Sequence, residues 1–269
     1  MNGTSSSAPI ISGVAALIYQ VNPDLTWRDV RHIMATTATK IDVNVPKITL
    51  KRNDEVGLDP NSFIAQDTWQ TNQAGYAFHP YYGFGMVDAT KAVQMAANGY
   101  QNLPQLVTTE WIAPKFNDNQ QTILENYKGA SKNIEVTDNA TIESIQIKIS
   151  ITHSRISDLA IVVFSPNGTR SVVMTPRSLL NIDTDINEEF DQTILLSHAF
   201  YGEQAKGTWK VQVVDTNQGV FKYYAYDKND QYDACKKSYK YYNKKSKNIP
   251  NNKKLGTFQE VQLKIFGHP

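Results

Sequence analysis

Residues 2–9 of the chain read N-G-T-S-S-S-A-P, and residues 9–20 continue as P-I-I-S-G-V-A-A-L-I-Y-Q. The second stretch is apolar on nearly every side, which predicts a helix buried inside a larger domain. Pro9 suits the first turn of a helix, where its missing N–H costs nothing. The sequence therefore places a Gly-Thr-Ser turn at the start of a buried helix, where backbone N–H groups and the helix dipole can stabilise an oxyanion.

Ser5, Ser6 and Ser7 lie at this helix start, and two roles suit them. A serine in this position commonly caps the helix, because its hydroxyl accepts a hydrogen bond from a free backbone N–H. The longer string, however, resembles the G-T-S-x-x-x-P signature around the nucleophile of subtilisin-like serine proteases. This resemblance implies that Ser5 is the catalytic nucleophile in acyl transfer.

The resemblance continues downstream in the same order. Residues 13–17 (G-V-A-A-L) and 22–30 (N-P-D-L-T-W-R-D-V) are similar to the two helices after the nucleophile in the kexin and furin branch. Residues 69–72 (W-Q-T-N) and 82–89 (Y-G-F-G-M-V-D-A) are similar to the strands and glycine-rich turn that close that catalytic domain. An ordered series of this kind is far more specific than a single G-T-S string.

Two of these helices carry their own boundary signals. Thr26, followed three residues later by Asp29, has the spacing of a capping box. Asp88 precedes the run A-T-K-A-V-Q-M-A-A-N, and Gly99 follows it. We therefore expect Asp88 to begin this last helix and Gly99 to end it.

A serine hydroxyl needs a base, normally a histidine oriented by a carboxylate, before it attacks a peptide bond. In subtilisins the Asp and the His precede the Ser in the chain, but only four residues precede Ser5. The resemblance therefore implies that the Asp, the His and the side-chain oxyanion donor lie upstream, in a catalytic-domain portion outside this sequence. The chain is then expected to be a C-terminal fragment that is inactive by itself.

The five histidines of the chain are not expected to replace the missing base. Other hydrolases do place the serine first, but in a G-x-S-x-G elbow that this sequence lacks. The neighbours of the histidines assign them elsewhere: a surface or groove position for His32, a loop for His79, a frayed end for His268, and the second half of the chain for His153 and His198.

The pattern changes after residue 104, where the helical periodicity stops. Isoleucines alternate with polar residues over residues 145–151, and a continuous apolar run at 159–164 is followed by the turn string S-P-N-G at 165–168. Apolar residues alternate again over 209–213 and 261–265. Several short strands without a helical pattern predict a β-sandwich or jelly roll.

The second half also has a specific resemblance. Residues 152–171 (T-H-S-R-I-S-D-L-A-I-V-V-F-S-P-N-G-T-R-S) resemble the core of the P-domain that follows the catalytic domain in kexin-like convertases, and residues 207–211 and 263–267 are similar to its later strands. The predicted fold is thus the C-terminal helical and strand portion of a subtilisin-type α/β catalytic domain over residues 1–103. An all-β jelly-roll or sandwich P-domain follows over residues 104–269.

A Lys/Tyr-rich insertion at about residues 221–254 departs from the family pattern. It contains ten Lys, three Asp and seven Tyr, so that its charge is +7 while the chain as a whole has +1. Interleaved Lys and aromatic residues can bind nucleic acid or an anionic cell surface. A solvated loop or hairpin extension is the favoured interpretation, and a nucleic-acid partner is not.

Two groups of residues could hold a cation. Asp158 and His153, with Arg155 between them, have ligand chemistry but no third ligand, so a buried hydrogen-bonding pair that holds the turn is favoured. The acidic stretch at residues 183–189 offers oxygen ligands for Ca²⁺ but lacks the spacing of a calcium loop, so a solvated loop is favoured. The resemblance implies Ca²⁺ for the full-length family, without a site that can be assigned in this chain and without an organic cofactor.

Composition limits the remaining possibilities. The hydrophobic fraction of 41% and charged fraction of 20% are those of a soluble globular protein. No apolar run is long enough to span a membrane, and the only cysteine, Cys235, allows no intrachain disulfide and is interpreted as a surface thiol. No secretory signal is visible in this chain, but the resemblance implies a secreted or cell-envelope protein, of bacterial type.

The predicted function is serine-type endopeptidase activity of the subtilisin and kexin class, with proteins or peptides as substrates. The upstream catalytic-domain portion of the same protein is the other expected partner. The alternative is a non-catalytic module, because the P-domain of the family is associated with folding and stability rather than with chemistry. A third possibility is that the Lys/Tyr-rich insertion makes the chain an adhesion module.

Overall fold

The computed structural model describes residues 3–50, 62–114, 120–124, 127–176, 188–216, 221–225, 245–249 and 255–269. We call described residues 3–104 the N-terminal part and those from 107 onward the sandwich. The helices and short strands of the N-terminal part are α1 (Thr4–Val21), α2 (Trp27–Thr37), β1 (Ile48–Leu50), β2 (Phe63–Gln66), β3 (Gln70–Thr71), β4 (Ala77–Phe78) and α3 (Ala89–Ala97).

Helix α1 differs from the expectation at its start. It begins at Thr4, so Pro9 is its sixth residue rather than a member of its first turn, and no serine side chain caps it. The physical reason is that Gly3, with a φ of 96°, serves as the N-cap and starts the helix early. The proline removes only one helical hydrogen bond, the one that a residue at this position would donate to the Ser5 carbonyl.

Within the described residues, helix α1 is buried on one face only. Only one face of it meets α2 and α3, where Val14 and Ile18 join a small core with Ile33 and Ala92. The other apolar residues of α1 remain largely exposed. Burial of this helix inside a larger domain stays a prediction, because the described residues cover only one of its faces.

The boundary signals of α2 and α3 are confirmed. Thr26 and Asp29 form a complete capping box, in which the Thr26 N–H donates to the Asp29 carboxylate at 2.7 Å. The Asp88 carboxylate accepts from the Lys91 N–H at 3.0 Å at the start of α3. Gly99 follows the end of α3 with a φ of 75°, as a C-terminal helix stop requires.

The second half is a two-sheet antiparallel sandwich, as predicted. Its strands are β5 (Val107–Thr108), β6 (Gln121–Ile123), β7 (Ala130–Val136), β8 (Thr141–His153), β9 (Leu159–Phe164), β10 (Arg170–Met174), β11 (Glu188–Ser197), β12 (Gly207–Asp215), β13 (Phe221–Ala225), β14 (Lys245–Ile249) and β15 (Gly256–His268). One sheet has the order β10-β9-β12-β7, and the other has the order β11-β8-β15-β5 with β6 also paired to β15.

The core of the sandwich lies between these two sheets, and the alternating residues found in the sequence form it. The buried set includes Ile145, Ile147, Ile149 and Ile151 from β8, Trp209, Val211 and Val213 from β12, and Val261, Leu263 and Ile265 from β15. The predicted turn is present as well, because the Gly168 N–H donates to the Ser165 carbonyl at 3.0 Å.

The Lys/Tyr-rich insertion is described only at its two ends. The backbones of β13 and β14 pair antiparallel, with Phe221 opposite Ile249, which agrees with the predicted hairpin extension. Cys235 and the rest of the insertion lie outside the described residues, as does the acidic stretch up to residue 187.

Candidate active site

Ser5 is the second residue of α1, separated by Thr4 from the N-cap Gly3. Its side chain is exposed, and within the described residues its hydroxyl has no hydrogen-bond partner. The first N–H groups of a helix have no partner inside the helix, and the dipole makes this end positive. Ser5 is thus an open hydroxyl beside groups that can stabilise negative charge.

The flank of α1 beside Ser5 is apolar and open. Ile10 is 64% exposed, and Ile11, Leu17 and Val21 are exposed as well. A groove of about 450 Å³ runs between α1 and α2, and its lining is mainly apolar: Ile11, Ala15, Tyr19, Trp27, Val30, Arg31, Met34, Ala35, Ala38, Phe84, Gly85 and Val87. An exposed apolar surface of this kind usually contacts another polypeptide.

The glycine-rich turn contributes Phe84, Gly85 and Val87 to the lining of this groove. Met86 and Thr39 form an antiparallel bridge, with N–H···O distances of 2.8 and 2.9 Å. Gly85 has a φ of 125°, and a Cβ at this position would lie 2.5 Å from the Thr39 carbonyl oxygen. Only glycine fits at this position. The turn at residues 82–89 therefore holds the segment that directly follows α2.

Within the described residues, none of the five histidines contacts Ser5. Each histidine has a polar partner elsewhere. His32 Nδ1 lies 2.9 Å from Tyr201 Oη, His79 Nδ1 lies 3.1 Å from the Tyr81 N–H, and His153 Nε2 lies 3.1 Å from Asp215 Oδ2. His198 Nδ1 and His268 Nδ1 lie 3.3 Å from the Glu143 carbonyl and 3.1 Å from its carboxylate, respectively. The described chain does not assemble a catalytic triad of its own.

Two of the histidine assignments, those of His32 and His268, need correction, and His79 lies in a loop as expected but is buried. His32 is not a surface or groove residue but is half-buried where α2 meets the sandwich. His79 is fully buried beside the rings of Trp69 and Tyr82. His268 is the last residue of β15 rather than part of a frayed end. Tyr201 and Glu143, both far away in sequence, hold the rings of His32 and His268, which a local pattern cannot reveal.

The contact between the N-terminal part and the sandwich is centred on Glu143, which sequence analysis missed. Its carboxylate is 1% exposed, and it pairs with Arg28 and, at 2.8 Å, with Arg31. Arg28 also donates to the Pro104 carbonyl at 2.8 Å, which ties the connecting segment to α2. The sequence does contain one sign that Glu143 is buried, since it is a charged residue in a strand, β8, whose inner face is otherwise apolar.

These contacts decide the ionisation of the pair. Burial alone would raise the pKa of Glu143, but the hydrogen bonds from Arg28 and His268 and the charge of both arginines lower it. The hydrogen bond to Glu143 raises the pKa of Arg28 in turn. Both groups are therefore charged at neutral pH, and the junction contains a buried ion pair.

Further polar contacts extend this junction. The Asn72 side-chain amide donates to the Ala199 and Tyr201 carbonyls at 3.0 and 2.8 Å. Arg170 of β10 pairs with Asp67 and donates to the Ile64 carbonyl at 2.7 Å. Behind these contacts, Phe63 and Ala65 of β2 pack on Ala160, Val162 and Val214 of the sandwich. The two parts are thus joined by both apolar and polar contacts.

His153, Arg155 and Asp158 form a buried group, but with partners other than those predicted. His153 pairs with Asp215, and its Nδ1 accepts from the Arg155 N–H at 3.0 Å. Arg155 pairs with Asp158 at 2.5 Å. These contacts agree with the interpretation that the three residues form a structural group that holds the turn. The predicted direct pairing of His153 with Asp158 is wrong, because His153 pairs with Asp215 instead. Asp215 was missed because it lies on a different strand.

Among the described residues, no group of three or more His, Cys, Asp or Glu side chains could hold a metal ion. The described part of the chain also contains no helix that is long and apolar enough to cross a membrane. Calcium is implied for the family, and these residues offer no built site for it.

Comparisons with known protein families define the class. Residues 1–85 match the subtilase family, and residues 142–224 match the proprotein convertase P-domain. The chain belongs to the subtilisin-like serine protease family, in the branch that carries a P-domain behind the catalytic domain. The resemblance and the fold class inferred from the sequence are thereby confirmed.

Individual relatives agree with this class. The chain is 34% identical over 234 residues to an extracellular serine protease of Aeromonas sobria, which covers 82% of this chain and 36% of that protein. It is 30% identical over 225 residues to human proprotein convertase subtilisin/kexin type 7, which covers 81% of this chain and 25% of that protein. The chain thus spans about a third or less of the length of these relatives.

A solved structure gives the same result. The crystal structure of the serine protease of Aeromonas sobria superposes with a TM-score of 0.83 at 30% identity and covers 100% of this chain and 44% of that one. The same protease has been solved in complex with a chaperone, with a TM-score of 0.81.

Proposed function

We propose that Ser5 is the nucleophile of a serine endopeptidase that hydrolyses peptide bonds in proteins. The observation that carries this proposal is the open Ser5 hydroxyl at the positive end of α1, inside a sequence that matches the subtilase family. In this mechanism an external base removes the hydroxyl proton while Oγ attacks the scissile carbonyl. The free N–H groups at the start of α1 face the oxyanion that develops.

The base, its carboxylate and the side-chain oxyanion donor are proposed to come from an upstream portion of the same protein. Two observations support this. No described histidine reaches Ser5, and the chain spans only about a third of its Aeromonas relative. The open apolar flank of α1 is the surface against which that portion would pack, because Ser5 lies at the edge of this flank.

The proposed division of labour follows the expected boundaries. Residues 1–103 contribute the nucleophile and the end of the catalytic domain, and residues 104–269 form a P-domain that stabilises it through the Glu143 junction. Secretion is proposed because a relative is named extracellular, and a chaperone partner because a related protease binds one. A purely non-catalytic stability module is the alternative, and the extensive junction is the feature that favours it.

The direct test is peptide hydrolysis by a longer product that contains this chain and the upstream portion. Ser5→Ala should lower kcat by a factor of at least about 10³, because the nucleophile and its base act as a unit. Ser7→Ala is the matched control, since Ser7 is exposed on the same helix start, and it should retain activity within about threefold. Equal activity of the wild type and Ser5→Ala would contradict the proposal and favour the non-catalytic module.

A further inference from the structure

The outer faces of the two sheets of the sandwich differ in what covers them. Ala160 and Val162 of β9 lie on the outer face of their sheet, because Ile161 between them faces the core. Phe63 and Ala65 of the N-terminal part pack on this outer face. The outer side chains of β8 and β15, in the other sheet, are polar or charged and partly exposed, and they include Gln146, Lys148, Gln262 and Lys264.

Two rows of side chains cross this second outer face. Residues that lie directly opposite each other on paired strands point to the same side of a sheet. The rows run from β11 through β8 to β15, and they are Ile194, Lys148 and Gln262 in one and Leu196, Gln146 and Lys264 in the other. Neighbouring strands lie about 4.8 Å apart, and the two lysines are diagonal neighbours about 7–8 Å apart. Amine and amide groups therefore alternate on one surface.

Trp111 contacts both of these lysines. Its ring centre lies 4.7 Å from Lys148 Nζ and 5.7 Å from Lys264 Nζ. The next residue, Ile112, pairs with Leu263 through two N–H···O bonds of 2.8 and 2.9 Å, which fixes Trp111 beside β15. An indole attracts an ammonium group, so Trp111 holds two flexible lysine side chains near one point.

The two ammonium groups have no described carboxylate within ion-pair distance. Glu260 of β15 lies on the same face, and its carboxylate accepts a hydrogen bond from Gln192 Nε2 at 3.3 Å. Two like charges side by side repel each other. An anionic group bound between Lys148 and Lys264 would relieve this repulsion and accept a charge-assisted hydrogen bond from each.

The other side chains of this face indicate which kind of anion fits. The carboxamides of Gln146 and Gln262 each donate and accept hydrogen bonds, as hydroxyl groups require. The indole of Trp111 offers an apolar surface to C–H groups, and Ile194, which is 53% exposed, offers another at the far end of its row. Anionic groups, hydroxyls and apolar C–H faces occur together in the sugar rings of an acidic polysaccharide.

Two other anionic polymers fit this face less well. An acidic polypeptide that binds as an added strand needs an open sheet edge, whereas Lys148 and Lys264 lie on the two central strands of their sheet, β8 and β15. Nucleic acid needs cationic groups that follow its line of phosphates, whereas an amide lies beside each lysine in its row.

We propose that the outer face formed by Trp111, Gln146, Lys148, Gln262 and Lys264 binds an anionic polysaccharide. Its sulfate or carboxylate groups bind the two lysines, and its sugar rings lie along the two amides and the indole. Such binding would hold the protein at a polysaccharide-coated surface. The proposal goes beyond peptide hydrolysis and does not depend on the role of Ser5.

The test is a fluorescence titration of the full chain with a heparin-derived tetrasaccharide, which carries both sulfate and carboxylate groups. We expect a saturable change in tryptophan emission that is absent in Trp111→Phe, because this indole lies beside both lysines. The Lys/Tyr-rich insertion contains no tryptophan, so binding there does not give this signal. The apparent Kd should rise at least about tenfold from low to high salt, since salt screens exposed charges. A titration without any Trp111-dependent change would overturn the proposal.

Variants then assign the binding to the two lysines. Lys148→Gln with Lys264→Gln should raise the Kd at least about tenfold, because a charge-assisted hydrogen bond from each ammonium group is lost. Lys206→Gln with Lys210→Gln is the matched control, since it removes the same charge at β12 of the other sheet, and it should change the Kd by less than about twofold. Both double variants should unfold in urea at the wild-type midpoint, because none of the four side chains belongs to the core. An equal loss of binding in both would overturn the site, since net charge alone would explain it.

Comparison ligands test the assignment to polysaccharides. Poly-L-glutamate and a DNA duplex, at the same concentration of anionic groups, should change Trp111 emission with a Kd at least about fivefold higher, because they lack the hydroxyls that the two amides would bind. Binding of either polymer as tight as that of the tetrasaccharide would overturn the assignment and identify a protein or nucleic-acid interface instead.

Discussion

Strand β8 and helix α1 both carry rows of large apolar side chains, yet these side chains lie in opposite environments. The four isoleucines of β8 at positions 145–151 are at most 1% exposed, because the facing sheet is part of the same chain. In α1 only Val14 and Ile18 are buried, while Ile10 is 64% exposed. An apolar pattern thus predicts which surface of an element is buried, but not which polypeptide buries it.

The largest effect is expected in the sandwich, whose core is buried by residues of this same chain. Trp209 is fully buried, packs edge-to-face on Phe200 at 5.0 Å and donates to the Ala205 carbonyl at 2.8 Å. Trp209→Ala should lower the free energy of unfolding of the sandwich by about 4 kcal/mol. Trp27→Ala, at a tryptophan that is 61% exposed, should cost less than about 1 kcal/mol. Urea unfolding measures both, and similar losses would contradict the assigned core.

The next effect concerns the link between the two regions. Glu143→Gln leaves Arg28 buried without its carboxylate, which should cost about 3 kcal/mol at the junction. Glu110→Gln, at an exposed position, should change stability by less than about 0.5 kcal/mol. Calorimetry should show the N-terminal part melting earlier in the Glu143 variant, while the sandwich melts as before. A single unchanged transition would show that Glu143 does not hold the two parts together.

The smallest effect probes the open flank of α1. Leu17→Ser removes an apolar side chain that is 48% exposed and should change the stability of this chain by less than about 0.5 kcal/mol. Ile18→Ser, one residue further on and fully buried, should cost about 3 kcal/mol. Equal costs in thermal unfolding would mean that both faces of α1 are covered within this chain.

The local features of the fold were predictable because their causes are local. The capping box of Thr26 and Asp29 and the alternation in β8, β12 and β15 each depend on residues a few positions apart, and the structure confirms them. The capping interpretation of the Ser5 region failed for a local reason too, because Gly3 takes the N-cap position.

The junction was not predictable, because its partners are far apart in sequence. Arg28 and Glu143 are separated by 115 positions, and His32 and Tyr201 by 169. No periodic pattern connects such residues, and although the apolar strand around Glu143 suggests that its carboxylate is buried, it does not show which residue pairs with it. His153 shows the same limit, since its carboxylate partner was sought on the nearest turn but lies on β12.

The most direct measurement of the central claim is the extent to which a fluorophosphonate probe labels Ser5, read by intact mass. We expect no labelling of this chain alone, because the described residues bring no base to Ser5, and one label in a longer product that contains the upstream portion. That label should disappear in Ser5→Ala and remain in Ser7→Ala. Labelling of Ser5 in this chain alone, or its absence from the longer product, would contradict the account.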